Sequence, residues 1–246
     1  MTLPDLRDPK GIALFLDFDG TLVAIADRPE AVHLDVSTSQ ALARLEKLLD
    51  GAIAIITGRE IAVVDQFLEP LHLSVAGVHG LTRRDAQGRT HLPSIDGGFV
   101  PKIEAALQPI LDKYPALLLE SKYGAIALHY RPHPELEQEC LALMHVAIQG
   151  LPGVELKRGK MVVEAKAIGG NKGAAIADYL MEAPFAGRQA VFAGDDITDE
   201  DAFMLVNARG GMSIKVGPGE THAAYRATGT NEFLTWLQQL PANLGG

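Results

Sequence analysis

Two carboxylates, Asp17 and Asp19, stand near the end of the stretch 11–23, GIALFLDFDGTLV, after a run of apolar residues. Such a run reads as a buried strand, and strand alternation puts residues two apart on one side, with Phe18 opposite. Acids held that close repel unless a cation sits between them or one keeps a proton. A hard divalent ion such as Mg2+ takes oxygen ligands and lets a substrate phosphate complete its shell. Taken alone, a solvated turn at a strand end accounts for the pair equally well. A second cluster tilts the reading. In FAGDDITDEDAF, Asp195 emerges from another apolar run, with Asp196, Asp199 and Asp201 close behind. Acids favour helix starts, which accounts for Asp199 and Glu200 but not for an acid directly after a buried run and a glycine. The spacing is not that of an EF-hand. A metal ligand from a second strand is the better reading of Asp195.

Two further residues fit a phosphate. Thr57, in IITGRE, follows a third apolar run, where its hydroxyl and the next N–H groups could hold a phosphate oxygen. A threonine at a helix N-cap needs no such function, so Thr57 is informative only in company. Lys172, in GGNKGAAIA, is followed by glycine rather than Ser or Thr, which excludes a P-loop. It nevertheless places a cation at the start of a core helix.

These residues need a scaffold that brings them together. The first half alternates strand and helix patterns: strand 12–18, helix 37–51, strand 52–57, helix 60–68 and strand 73–80. That order argues for a parallel sheet with helices on its faces. From about Gly97 the rhythm changes to helix 98–114, strands 116–122 and 124–131, helix 134–150 and a strand pair over 154–166. Pro101 sits early in its helix, where a missing N–H costs least, and Pro109 is expected to kink it or end a turn. The first rhythm then returns with helix 174–182, strand 189–195, helix 199–207, strand 211–217 and helix 231–240. The expected fold is α/β: a doubly wound, Rossmann-like, mainly parallel sheet over 1–96 and 168–246, with an inserted α+β cap over 97–167. In such sheets ligands bind beyond the carboxyl ends of the strands, where Asp17, Thr57 and Asp195 all fall.

Composition narrows the class. Of 246 residues, 47% are apolar and 22% charged, as in an ordinary globular protein, and the length suits two domains or one with an insertion. A net charge of −9 argues against a nucleic-acid partner. The single cysteine, Cys140, excludes an intrachain disulfide, suits a reducing compartment and reads as a packed core thiol. No apolar run reaches membrane-spanning length, and the N-terminus lacks the apolar core of a signal peptide. A soluble cytoplasmic protein that does not engage membranes is expected. His129 and His133 have the spacing of a helical metal pair, but Pro132 and Pro134 forbid the helix; zinc is not indicated.

Asp-x-Asp-Gly-Thr, Thr-Gly-Arg, a later Lys-Gly and Gly-Asp-Asp-x-x-Asp, in that order, resemble the motifs of the haloacid-dehalogenase-like phosphohydrolases. The resemblance implies covalent catalysis through an aspartyl-phosphate. Asp17 would attack phosphorus, and Asp19 would protonate the leaving oxygen and later activate water. Mg2+ would sit on Asp17, the Asp19 carbonyl and Asp195, with Asp199 close behind, while Thr57 and Lys172 hold the transferring group.

An inserted cap is expected to carry specificity. Counting alternation along its strands, Glu120 and Lys122 share one face, His129 and Arg131 share one face, and Arg158, Lys160 and Glu164 share parity against Met161 and Val163. An ordinary half-exposed sheet would look the same, but such a face also suits a ligand covered with hydroxyls. AGVHG, LESK, ALHYR, RGKMVVEAK, NKG and GDDITDEDAF are similar, in order, to segments of trehalose-6-phosphate phosphatases. The resemblance implies Mg2+-dependent hydrolysis of trehalose 6-phosphate by a monomer acting without a fused synthase. It assigns sugar contacts to Glu120, Lys122, His129, Arg131, Arg158 and Glu164, with Arg59 and His79 near the mouth. Phe18 stands where tyrosine is common in that family and Thr57 where serine is common. A phosphatase for another phosphosugar such as sucrose phosphate, a phosphomutase and a non-catalytic phosphosugar sensor remain as alternatives.

Overall fold

Five consecutive buried residues, Ile12–Leu16 (β1), open the chain's regular structure. A strand buried on both faces needs covering layers on both sides, as in a parallel sheet. The computed structural model describes residues 3–25, 32–92 and 98–245. It comprises two units, Met1–Leu92 with Asn171–Gly246, and Pro93–Gly170. Gly97, the expected start of the cap, lies outside the described residues.

In the larger unit β1 is followed by helix α1 (Val36–Leu48), strand β2 (Ile53–Ile56), helix α2 (Ile61–Leu68) and strand β3 (Ser74–Gly77). A hairpin of β4 (Thr82–Arg84) and β5 (Thr90–His91) then adds two antiparallel strands to the sheet. The sequence does not announce this hairpin, because its strands are short and polar.

The smaller unit contains α3 (Phe99–Lys113), β6 (Leu118–Lys122), β7 (Ala125–His129), α4 (Glu137–Ala147), β8 (Val154–Gly159) and β9 (Val162–Ala167). Its sheet is antiparallel throughout, in the order β6-β7-β9-β8. Helix α3 runs through Pro109 to Lys113. The ring frees the carbonyl four residues back, at Ala105, and both residues are exposed, so water can take the lost bond.

The larger unit resumes with α5 (Lys172–Tyr179), β10 (Gln189–Gly194), α6 (Glu200–Ala208), β11 (Met212–Val216), β12 (Tyr225–Ala227) and α7 (Thr230–Leu244). Strand order is β12-β11-β10-β1-β2-β3-β4-β5, parallel from β12 to β3. The fold is thus α/β with a mainly parallel, Rossmann-like sheet. Short β12 was also illegible in the sequence.

Core packing fixes the helix that matters most below. Tyr179, at the end of α5, is buried with its ring 6.0 Å from Phe15 and 4.8 Å from Phe185. Its hydroxyl donates to the Arg84 carbonyl at 2.8 Å. Each aromatic pair contributes about 0.5–1.5 kcal/mol beyond its buried area, so α5 is anchored firmly at the end opposite Lys172. Among the described residues no helix is long and apolar enough to cross a membrane.

Candidate active site

Asp17 directly follows β1, and Asp195 directly follows β10, the strand paired with β1 in parallel register. The pairing continues one step past the strand, where Asp17 N–H donates to the Ala193 carbonyl at 2.9 Å. Two glycines make room for the acids. At Gly20, φ is +84° and a Cβ would overlap the Asp195 carboxylate. At Gly194 a Cβ would overlap the carboxyl group of Asp199. Side chains are absent there because carboxylates occupy the space.

Asp199 ends a short turn, Ile197–Asp199, capped by Asp196. Asp196 accepts from Ile197 N–H at 2.7 Å, and Asp199 accepts from Asp196 N–H at 2.9 Å. The other Asp199 oxygen accepts from Lys172 Nζ at 2.6 Å, and the same ammonium donates to Asp17 at 2.6 Å. Lys172 is the first residue of α5, whose start is fixed by the Asn171 side chain accepting from Ala174 N–H at 2.7 Å. Ligand oxygens of Asp17, Asp195 and Asp199 all lie within 4.8 Å of one another.

Asp17 and Asp199 hold one ammonium in a place with almost no solvent, with the half-buried Asp195 beside them: Asp17 is 3% exposed, Lys172 2% and Asp199 0%. Burial pushes the Asp17 carboxyl well above the ordinary range, Asp199 and Asp195 add to that, and Lys172 opposes it. Asp195 is pushed up to about 7, first by burial and then by Asp199 and Asp196. Burial lowers the Lys172 ammonium, but Asp17 and Asp199 outweigh it and hold the lysine charged. The set has hard oxygen donors and surplus negative charge, the conditions a divalent cation relieves. The three residues could hold a hard divalent cation.

Thr57 is fully buried just past β2, and its hydroxyl accepts from Arg59 N–H at 3.1 Å. Asp19, part-exposed, faces the Arg59 guanidinium, with Nη2–Oδ1 at 2.6 Å. His79 N–H donates to the Thr57 carbonyl at 2.8 Å, and its ring lies against Gly58, where a Cβ would stand 2.6 Å from ring atoms. Arg59 and His79 thus belong to the same loop cluster as Thr57.

The polar face of the smaller unit is built by strand register. Directly paired residues share a face, and Glu120 pairs with Ala127, which pairs with Glu164. Lys122 Nζ lies 3.0 Å from Glu164 and 3.5 Å from Glu120, and His129 Nε2 lies 2.9 Å from Glu120. Burial raises the Glu120 carboxyl, but His129 and Lys122 outweigh it and hold it low. Burial lowers Lys122, but Glu164 and Glu120 outweigh it and hold it charged. Glu120, Lys122, His129 and Glu164 therefore form one network.

One residue expected on that face lies elsewhere. Arg158 pairs with Val163, which pairs with Leu128, so it lies on the opposite, apolar face. Parity along the uninterrupted chain would place it with Glu164, but the turn at Lys160 and Met161 pairs even positions with odd ones, so parity reverses across it. Lys157, overlooked in the sequence, stands opposite Glu164 instead. Arg131 lies beyond β7, where it donates to the Lys160 carbonyl at 3.3 Å. A second overlooked residue is Lys215, 5% exposed in β11, whose ammonium donates to the Asp195 carbonyl. A lysine inside the apolar run MSIKV was the available signal.

Comparison with known proteins points to one family. Residues 15–231 match the family model described as trehalose-phosphatase. The chain is 41% identical over 232 residues to the trehalose-6-phosphate phosphatase of Escherichia coli, covering 94% of this chain and 87% of that protein. It is 42% identical over 207 residues to a probable trehalose-phosphate phosphatase of Sinorhizobium fredii, covering 84% and 78%. Among solved structures, the C-terminal domain of the C. albicans trehalose-6-phosphate phosphatase is similar in fold, with a TM-score of 0.84 at 23% identity, covering 96% of this chain and 93% of that one.

Proposed function

The chain belongs to the trehalose-phosphatase family and is a phosphoric monoester hydrolase, and on that premise we propose that it converts trehalose 6-phosphate to trehalose and phosphate through an aspartyl-phosphate on Asp17. The carrying observation is the Lys172 ammonium shared between Asp17 and Asp199 at 2.6 Å each, inside a triad of acids. Lys172 keeps Asp17 aimed and supplies positive charge where equatorial phosphoryl oxygens gather it. An Asp17 oxygen forms the new bond to phosphorus as the bond to the sugar oxygen breaks, and Asp19 gives that oxygen its proton. Asp19 then takes a proton from water, whose oxygen attacks phosphorus and frees Asp17. Thr57 holds the transferring group through its hydroxyl. Asp17, Asp195, Asp199 and the Asp19 carbonyl would hold Mg2+, which supplies charge neutralisation for an incoming dianion.

We assign the sugar to the smaller unit, with residues 97–167 as the cap, through Glu120, Lys122, His129 and Glu164. A neutral, hydroxyl-rich ligand can exchange hydrogen bonds with a network of that kind. We further propose that the protein acts in the cytoplasm as a monomer on a small phosphosugar, with no nucleic-acid or membrane partner; the single buried Cys140 suits a reducing compartment and the net charge of −9 argues against a nucleic-acid backbone. The test is phosphate release from a panel of sugar phosphates, with and without a chelator. Preferred release from trehalose 6-phosphate, abolished by chelation and restored by Mg2+, is expected; preference for another sugar defeats the substrate assignment.

A further inference from the structure

Arg59 has a task that the proposed chemistry leaves open. Its Nε donates to Asp19 Oδ2 at 2.7 Å and its Nη2 to Asp19 Oδ1 at 2.6 Å. A two-pronged contact of this kind fixes the plane of a carboxylate as well as its place. The guanidinium is itself held, 5.5 Å from the ring centre of Phe18 and 5.3 Å from that of Phe67, and the residue is 8% exposed.

Its backbone is pinned at both ends. The N–H donates to Thr57 Oγ1 at 3.1 Å, and the carbonyl accepts from Val78 N–H at 2.9 Å. Val78 and His79 adopt φ of +49° and +53°, a region that a buried β-branched residue enters only under constraint from its surroundings. A Cβ at Gly77 would stand 2.7 Å from the Arg59 carbonyl, so the two loops meet backbone to backbone. An arginine anchored along its whole length is built to hold a neighbour still.

We propose that Arg59 is the positioning residue for Asp19, fixing where that carboxylate meets the leaving-group oxygen and then the attacking water. The assignment rests on the acid/base reading of Asp19. To exchange a proton, Asp19 releases one of the two N–H bonds while the other remains as a pivot. Lysine cannot replace the arginine here, because an ammonium has no planar fork.

The experiment compares the wild type with Arg59→Gln, Arg59→Lys and Asp19→Asn, on trehalose 6-phosphate and on p-nitrophenyl phosphate. A sugar alkoxide needs a proton to leave; a nitrophenolate does not, although the phosphoenzyme it leaves behind still needs a base. Asp19→Asn is expected to lose kcat by about 10²-fold or more on the sugar ester, with KM little changed. On the aryl ester it should release one nitrophenol per site in a burst, then turn over slowly. Arg59→Gln is expected to show the same kcat loss and the same burst, and Arg59→Lys, which keeps charge and bulk, to recover only a small part of the rate. An Arg59→Gln enzyme that raises KM on both esters without a burst overturns the proposal, because the arginine would then be binding substrate. So does wild-type kcat in both Arg59 variants. If Asp19→Asn itself shows no dependence on the leaving group, the acid/base reading of Asp19 fails, and the proposal with it.

Discussion

The two ionic clusters of this protein differ in their arithmetic. In the larger unit, Asp17, Asp195 and Asp199 cluster together, with Lys172 bonded to the almost fully buried Asp17 and Asp199 and Lys215 as a second cation beside Asp195. In the smaller unit, Glu120 and Glu164 face two lysines, Lys122 and Lys157, with His129 beside Glu120. The first cluster carries surplus negative charge, which a divalent cation would relieve. The second is compensated internally, so its members gain nothing from a metal and can trade hydrogen bonds with neutral hydroxyls. Surplus charge is suited to chemistry on a phosphate, and balance is suited to reading a sugar.

The largest effect that tests this contrast is on turnover. Asp17→Asn is expected to reduce phosphate release by about 10⁴-fold or more, the scale seen when a covalent nucleophile is removed. Yet the same substitution removes a repelling charge, so the metal-free variant should melt no lower than the metal-free wild type. A large drop in its melting temperature would show that the core cluster is balanced after all. Activity near that of the wild type would remove Asp17 as the nucleophile.

The next effect is on stability against pH. Asp195 is pushed up to about 7 in the folded protein, mainly by burial. A carboxyl with a raised folded value favours folding while protonated, and that contribution is lost as pH rises from the ordinary carboxylate range through about 7. Metal-free protein should therefore melt several degrees lower at pH 8 than at pH 5 on this account, and Mg2+ should remove most of the difference. Thermal melts with and without chelator check this; identical melts at both pH values in chelator would break the argument.

For the smaller unit the sign reverses. Glu164→Gln takes one carboxylate from a compensated, largely buried pair and leaves Lys122 with less to face. Removing one partner of such a pair costs about 1–3 kcal/mol, measurable by urea titration. KM for trehalose 6-phosphate should rise about tenfold while that for an aryl phosphate stays constant. Equal effects on both substrates would make this face structural only.

The same contrast governs what the sequence could reveal. Asp17, Thr57 and Asp195 each sit one residue past an apolar run, so local pattern alone places them at the strand ends. Lys172 starts a helix that Asn171 caps, and its position is equally local. The polar face of the smaller unit depends on pairing across hairpins, which no single strand encodes. Glu120 and Lys122 lie two apart within one strand and were legible, whereas Arg158 and Glu164 straddle a turn whose register reversed their parity. The short polar strands β4, β5 and β12 lack any alternation to read. Arg59 and Asp19 are joined across loops, and no local rule pairs them.

That register makes the smallest and sharpest prediction. Lys157 and Arg158 are adjacent cations in β8, and composition cannot tell them apart. Pairing puts Lys157 opposite Glu164 and Arg158 opposite Val163, so only the lysine shares the face that carries Glu120 and Lys122. Lys157→Ala should raise KM for trehalose 6-phosphate by about three- to tenfold, equivalent to roughly 0.6–1.4 kcal/mol, in the range of one net hydrogen bond. Arg158→Ala should change it less than twofold, with kcat unchanged in both. The parity of the uninterrupted sequence demands the opposite ranking. Steady-state kinetics on the two variants therefore decides whether the hairpin register or the linear pattern governs sugar recognition, and a larger KM effect from Arg158→Ala would return the sugar contact to the arginine.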